Sequence, residues 1–333
     1  MRRFYPALLL LAAAVPASGA QPPQPKTINF VSPQGKGRII LTVDRETQWQ
    51  LLALYDEGTR PVAQFQNTAN HLNISYILFP NQTGSPNPDI CRDDVLSAGQ
   101  RSMSGAPGLV DIKQIKKTNA VNAAGRPMSI GSYLIASIGD LKIAEQNLFG
   151  VVSSASECAE IHISKDSYKP ADDFAMQSAL QTLNLDPDYS PVAQDYFLLG
   201  SLLYEMPKNY AAAAVYYQRA LDTLPANASL NTRRVITDQL SMSYGISGQM
   251  KLSRTIIEAA IKTDPDYPLY YYNLACADAE EGKTSDAKTH LQQAFERKGN
   301  TLPGEHMPYP SEDGSIQKLK KNKEFWAFVQ TLK

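Results

Sequence analysis

Hydrophobic and polar positions follow two different periods along this chain. Between residues 27 and 165, apolar residues alternate with polar ones or gather in short β-branched and aromatic runs: GRIILTVD, WQLLALYD, PVAQFQN, LNISYILFP, SYLIASIG and CAEIHIS. A period of two with that residue preference predicts strands that each bury one face. DEGTR, at 56–60, reads as a hairpin turn between two of them. NPDICRDDVLSAGQ breaks the strand pattern and predicts a short helix after Asn87-Pro88. DFAMQSALQTLNL, at 173–185, places Phe174, Leu180 and Leu183 on one face of an amphipathic helix. Strands followed by a packed helix predict an α+β head over 27–185.

Beyond residue 190 the period changes. Ala260 and Ala294, Leu240 and Leu274, and Gly248 and Gly282 are each 34 residues apart. Three independent columns at one spacing indicate an internal repeat, to be read as stacked copies of one supersecondary unit. Small residues (Ala213, Ala220, Ser253, Ala260, Ala287, Ala294) sit where two helices must approach closely, and Leu, Tyr and Ile fill the space between hairpins. Pro225 and Pro265 end helices because proline cannot continue the hydrogen-bond ladder.

The period and residue set resemble the tetratricopeptide repeat, a helix–turn–helix unit. Repeat one supplies Tyr196, Leu199-Gly200, Leu203, Ala213, Tyr217, Ala220 and Pro225. Repeat two supplies Leu240-Ser241, Tyr244, Gly248, Ser253, Ile257, Ala260 and Pro265. Repeat three supplies Tyr271, Leu274-Ala275, Gly282, Ala287, Leu291 and Ala294. The expected architecture is therefore an α+β head followed by an all-α solenoid at 190–299, with repeats near 193–226, 234–267 and 268–301. Thr237 and Asp278 depart from the pattern, each replacing a large residue. EMPKNY lengthens the first inter-helix turn, and ANASLNTRR adds a turn or more to the next helix. After a Pro/Gly-rich loop, Ile316, Leu319, Phe325, Phe328, Val329 and Leu332 predict a helix capping the array within 300–333.

The resemblance implies a concave groove lined by the first helix of each repeat, used for extended peptides or partner helices. Carried over by register, its positions are Phe197, Ser201, Tyr204 and Glu205, then Asp238, Met242 and Ile246, then Leu269, Tyr272, Cys276 and Glu280. The Lys/Asn set that clamps a peptide carboxylate in some members is missing, although Asn273 occupies one possible place. The head weakly resembles the PsbP-like fold, an antiparallel sheet flanked by helices, through the order FQNTANHLNISYILFP, a helix bearing Cys91, NLFGVV and CAEIHISKDSYKPADD, and a final helix. A small β-sandwich is the rival arrangement.

Composition adds location. Arg2-Arg3, the apolar run Ala7–Val15, Pro16 and Ser18-Gly19-Ala20 read as a secretory signal cut after Ala20, with 21–26 as linker. Its nine apolar residues fall short of the roughly 20 needed to span a bilayer. Export, periplasmic or extracellular, permits disulfides. A Cys91–Cys158 bridge is expected, against the alternative of two unconnected thiols, with Cys276 left over. A net charge of −1 gives no nucleic-acid footprint, and the cationic cluster at Lys318, Lys320, Lys321 and Lys323 reads as a solvated face.

Catalytic signals are sparse. EEGKTSD lacks the first glycine and preceding strand of a phosphate loop. GISG at 245–248 lacks the hydrolase-elbow spacing and reads as a helix end. His71, His162, His290 and His306 show no metal spacing, and the first two read as ordinary strand residues. No catalytic, cofactor-binding or metal set is assigned. The expectation is an exported non-enzymatic adaptor or scaffold binding a protein or peptide. The alternative is a head that binds a small molecule or lipid, or is an enzyme, with the repeats used for oligomerisation. DPDY occurs twice, at 186–189 and 264–267. The first copy is expected to join two domains and the second to join two repeats.

Overall fold

The computed structural model describes residues 27–33, 36–42, 49–56, 61–67, 70–104, 110–206 and 208–332. The expected signal and linker lie outside them. The chain forms two compact units, one running through Pro191 and the other from Val192 onward.

The first unit is built on two antiparallel sheets. Strands β1 (Thr27–Phe30) and β2 (Arg38–Thr42) form one, completed later by β10 (Leu185–Asp186) in the order β1-β2-β10. The larger sheet contains β3 (Trp49–Asp56), β4 (Pro61–Asn67), β5 (Asn73–Pro80), β6 (Val110–Val121), β7 (Pro127–Ile138), β8 (Leu141–Ser153) and β9 (Glu157–Lys165). Their order is β3-β4-β5-β9-β8-β7-β6, every neighbour antiparallel.

Alternation along the strands gives this sheet two buried faces. On one lies helix α1 (Pro88–Ser104), whose Cys91, Val95 and Leu96 pack with Phe79, Tyr133, Phe149, Val151 and Cys158. Cys91 and Cys158 are bridged, tying α1 to β9. On the other lies α2 (Asp173–Leu180), which buries Met176, Ala179 and Leu180. Gly150 is the seat for α2, since a Cβ there would stand 2.7 Å from Leu180 Cδ1 and 2.9 Å from Met128 Sδ.

Two expectations are corrected here, and the first DPDY is located. Phe174 does not face the core but is 83% exposed, because the buried stripe of α2 is Met176, Ala179 and Leu180, a spacing of three and four that leaves position 174 outside. His71 is not a strand residue: it sits between β4 and β5 with φ +55°. The first DPDY belongs to the head. Leu185 and Asp186 pair with Ile39 and Arg38. Asp186 accepts from Arg38 Nε and Nη2 at 3.3 and 3.2 Å, and the same guanidinium lies 4.0 Å over the Tyr189 ring. The head thus continues to Pro191, beyond the expected 185.

The second unit is three helical hairpins: α3 (Ala193–Glu205) with α4 (Tyr210–Asp222), α5 (Leu230–Ile246) with α6 (Met250–Thr263), and α7 (Pro268–Glu280) with α8 (Thr284–Glu296). Asn209 and Ser229 cap α4 and α5 by accepting from Ala212 and Thr232 N–H. Gly200 lets α3 meet α4, for a Cβ there would fall 2.9 Å from the Tyr217 ring. α5 has 17 residues against 13 in α3 and α7, the added turn that ANASLNTRR predicts. The second DPDY lies at the α6–α7 junction. Asp264 takes a bidentate pair from Arg234 at 2.7 Å, with that guanidinium 5.1 Å over Tyr267. The expected capping helix is divided into a 3-10 turn at Ile316–Leu319 and a short helix α9 (Lys323–Val329), which Asn322 starts by accepting from Phe325 N–H. Ile316, Leu319, Phe325 and Val329 join the core of the third hairpin.

Candidate functional site

The sequence places glycine, serine and alanine at consecutive turns of α5 and α7, and short side chains leave space between these helices. A cleft of about 410 Å³ results. Met242, Ile246, Met250, Cys276 and Ala277 give it an apolar lining, interrupted by Ser241, Ser253 and Asn273. Gly245 is a wall with no side chain. The Cβ it lacks would meet nothing nearer than Ser253 Oγ at 3.7 Å. Ser315 and Lys318, from the segment after the third hairpin, close the far side. Lys318 pairs with Glu280 at the rim. Burial opposes ionisation of the Glu280 carboxyl, but the hydrogen bonds from Lys318 and Ser315 outweigh it and hold the pKa below the usual range. The cleft therefore offers a soft, adaptable apolar lining with one neutralised charge pair at its edge.

The eleven positions carried over by register separate into three groups. Met242, Ile246, Cys276 and Glu280 come together on the cleft. Tyr204 is half-buried against Tyr210, ring centroids 5.0 Å apart, and Glu205 is exposed at the end of α3. The others are not groove contacts. Phe197 is buried against Tyr217, and Ser201 accepts from the Tyr217 hydroxyl at 3.1 Å while donating to Phe197 O. Asp238 is buried and accepts from Asn273 Nδ2 at 2.7 Å. Asn273 spends its other amide proton on Ser241 Oγ at 2.9 Å, so it is no carboxylate clamp. Leu269 and Tyr272 are fully buried because α7 is enclosed over Pro268–Ala279. The chain after α8 supplies part of that enclosure. Leu302, Ile316 and Leu319 share its core, and Tyr267 donates to Glu305 at 2.7 Å. An α7 buried all round is what register transfer misses, since the transfer assumes an open concave face.

Gly245, Met250, Ser253, Ala277, Ser315 and Lys318 also line the cleft without having been anticipated as site residues. Gly245 had a signal, a small residue one turn beyond Ser241 on the same helix. Lys318 had none, because its contact with Glu280 spans 38 positions. Elsewhere, Asp278 is buried between Arg254 and His290, whose Nδ1 lies 2.6 Å from Asp278 Oδ2. His162 stacks on Phe149 at 4.3 Å and bonds Asn147 at 2.8 Å. Burial pushes the imidazole down to about 4, so it is neutral at physiological pH. Among the described residues no group of three His, Cys, Asp or Glu could hold a metal ion, and no helix is long and apolar enough to cross a membrane.

No family model and no curated protein matches the chain. Among solved structures it is similar to the TPR domain of Sgt2 from Aspergillus fumigatus, at 20% identity, over 43% of this chain and 83% of that one, with a TM-score of 0.31. It is also similar to cyanobacterial PsbP (CyanoP) from Synechocystis sp. PCC 6803, at 11% identity, over 52% of this chain and 95% of that one, with a TM-score of 0.34. Both likenesses are distant. The chain is an antiparallel-sheet head followed by three helical hairpins, as its own strand order and helix order establish.

Proposed function

We propose that this chain is an exported, non-enzymatic adaptor or scaffold that binds a partner protein or peptide through the cleft between α5 and α7. The observation that carries this reading is the cleft itself, an apolar concavity of about 410 Å³ between successive hairpins. It falls within the roughly 300–1,000 Å³ range of binding pockets. Export rests on the pattern of the first 20 residues. A peptide would place an apolar side chain over Met242, Ile246 and Met250, with its backbone reaching the serines at the edge.

The test is to fill the cleft without touching the core. Gly245→Phe adds a ring where the backbone has room for a Cβ. Partners captured by the wild type from the exported fraction should be lost from the variant, with the thermal midpoint unchanged. Equal recovery by both proteins rejects the cleft as the binding surface.

A further inference from the structure

The head contains a cleft of its own, and its charges indicate what it takes. Antiparallel register puts Lys116 opposite Ser132 and Ser132 opposite Leu148, with Thr118 opposite Ile130 in the next row. These side chains share the sheet face on which α2 packs. Because α2 seats at Gly150, it lies on β8 and β9, while the sheet continues past it to β7 and β6. The step between helix and outer strands is a cleft of about 350 Å³. Ile130, Leu148 and Met176 supply its apolar surface.

Among the described residues, two charged groups line it. Lys116 makes no hydrogen bond or ion pair among the described residues, whereas its neighbour Lys117 is neutralised by Asp93 at 3.0 Å. Asp173 accepts from the Tyr168 hydroxyl at 2.7 Å, and that bond helps push the phenol up to about 12, so Tyr168 stays a donor. A carboxylate has about four acceptor positions, so one hydroxyl leaves most of them open. Lys116 and Asp173 are not paired with each other. Gln146 spends its amide hydrogens on the carbonyls of Tyr133 and Asn147, at 3.3 and 3.1 Å, and keeps its amide oxygen as an acceptor in the cleft.

A simple anion would suit Lys116 but meet Asp173, and a simple cation the reverse. A ligand bearing both charges satisfies both groups. We propose that this cleft binds a small zwitterion of the amino-acid type, its carboxylate on Lys116, its ammonium on Asp173 and Gln146, and an aliphatic side chain over Ile130, Leu148 and Met176. This inference is independent of the adaptor reading, which concerns the helical unit.

Three probes of nearly equal size separate the charges: L-leucine, N-acetyl-L-leucine, which keeps only the carboxylate, and L-leucine methyl ester, which keeps only the ammonium. Binding to the full chain is followed by saturation-transfer NMR and calorimetry. Leucine should bind, and each blocked form should bind at least about tenfold more weakly. Lys116→Met and Asp173→Asn replace exposed side chains, so the melting temperature should hold while each variant loses about tenfold or more in leucine affinity. Lys116→Met should erase the remaining binding of N-acetyl-leucine, and Asp173→Asn that of the methyl ester. The proposal is overturned if leucine gives no saturable signal up to about 10 mM, if a blocked form binds as tightly as leucine, or if neither variant changes leucine affinity.

Discussion

Asp278 stands where the repeat pattern calls for tyrosine, and its surroundings explain how a carboxylate is accommodated there. It is 1% exposed, yet it accepts from Arg254 on α6 and from His290 on α8. Burial alone would raise its pKa. The hydrogen bonds from His290 and Arg254 outweigh burial and hold it below the usual carboxylate range. A carboxyl whose pKa is lowered by folding contributes stability that is present above its unfolded value, about 3.9, and is lost as pH falls through the folded value. Thermal midpoints measured from pH 6 down to pH 2 should therefore fall more steeply for the wild type than for Asp278→Asn, which starts lower. Parallel curves would show that this carboxylate does not carry the acid sensitivity. Glu157 has the opposite sign. It is buried, its Oε2 has no partner, and burial pushes its pKa up to about 7. Its contribution is full below the unfolded value near 4.3 and declines as pH rises to about 7. Glu157→Gln should stabilise the protein at pH 8 by more than at pH 5, a difference on the order of 1–3 kcal/mol in denaturant titration. Gly200→Ala is a packing test. With the Tyr217 ring 2.9 Å from the new methyl, about 1–3 kcal/mol should be lost in denaturant titration.

At the scale of elements, the bridge between α1 and β9 closes a loop of 67 residues. Reduction should cost about 2–5 kcal/mol of head stability, read as a fall in the denaturant midpoint on adding reductant. A Cys91→Ser/Cys158→Ser protein should show that lower midpoint with no response to reductant. The elements themselves were unequally legible. The 34-residue columns placed the second and third hairpins, and the same residue pattern placed the first, because small residues recur wherever two helices touch. The strands β4, β5 and β9 were legible from their alternation. β6 was not, for VDIKQIKKTNAV is a lysine-rich strand at the edge of the sheet, with no neighbour beyond it among the described residues. β10 is two residues long, too short for any period to register. α7 carries a readable signal of a different kind. PLYYYNLACADA is apolar on nearly every side, the pattern of an enclosed helix, and that outweighs the groove positions which register transfer assigns to it.

At the scale of the molecule, each unit contains a DPDY segment that grips an arginine from an earlier element: Arg38 by Asp186 and Tyr189, Arg234 by Asp264 and Tyr267. The phrase repeats because the local chemistry repeats, an aspartate to pair the guanidinium and an aromatic ring to cover it. Sequence could match the two phrases but not the arginines, since Arg38 is 148 positions from Asp186. The register of β10 adds a consequence in time. A chain leaving the ribosome presents β2 long before β10, so one edge of β2 has no strand to receive it until Leu185 and Asp186 arrive, and Arg38 has no ring above it until Tyr189 follows. The head is therefore made before the helical unit but cannot finish folding until nearly all of its own residues have emerged.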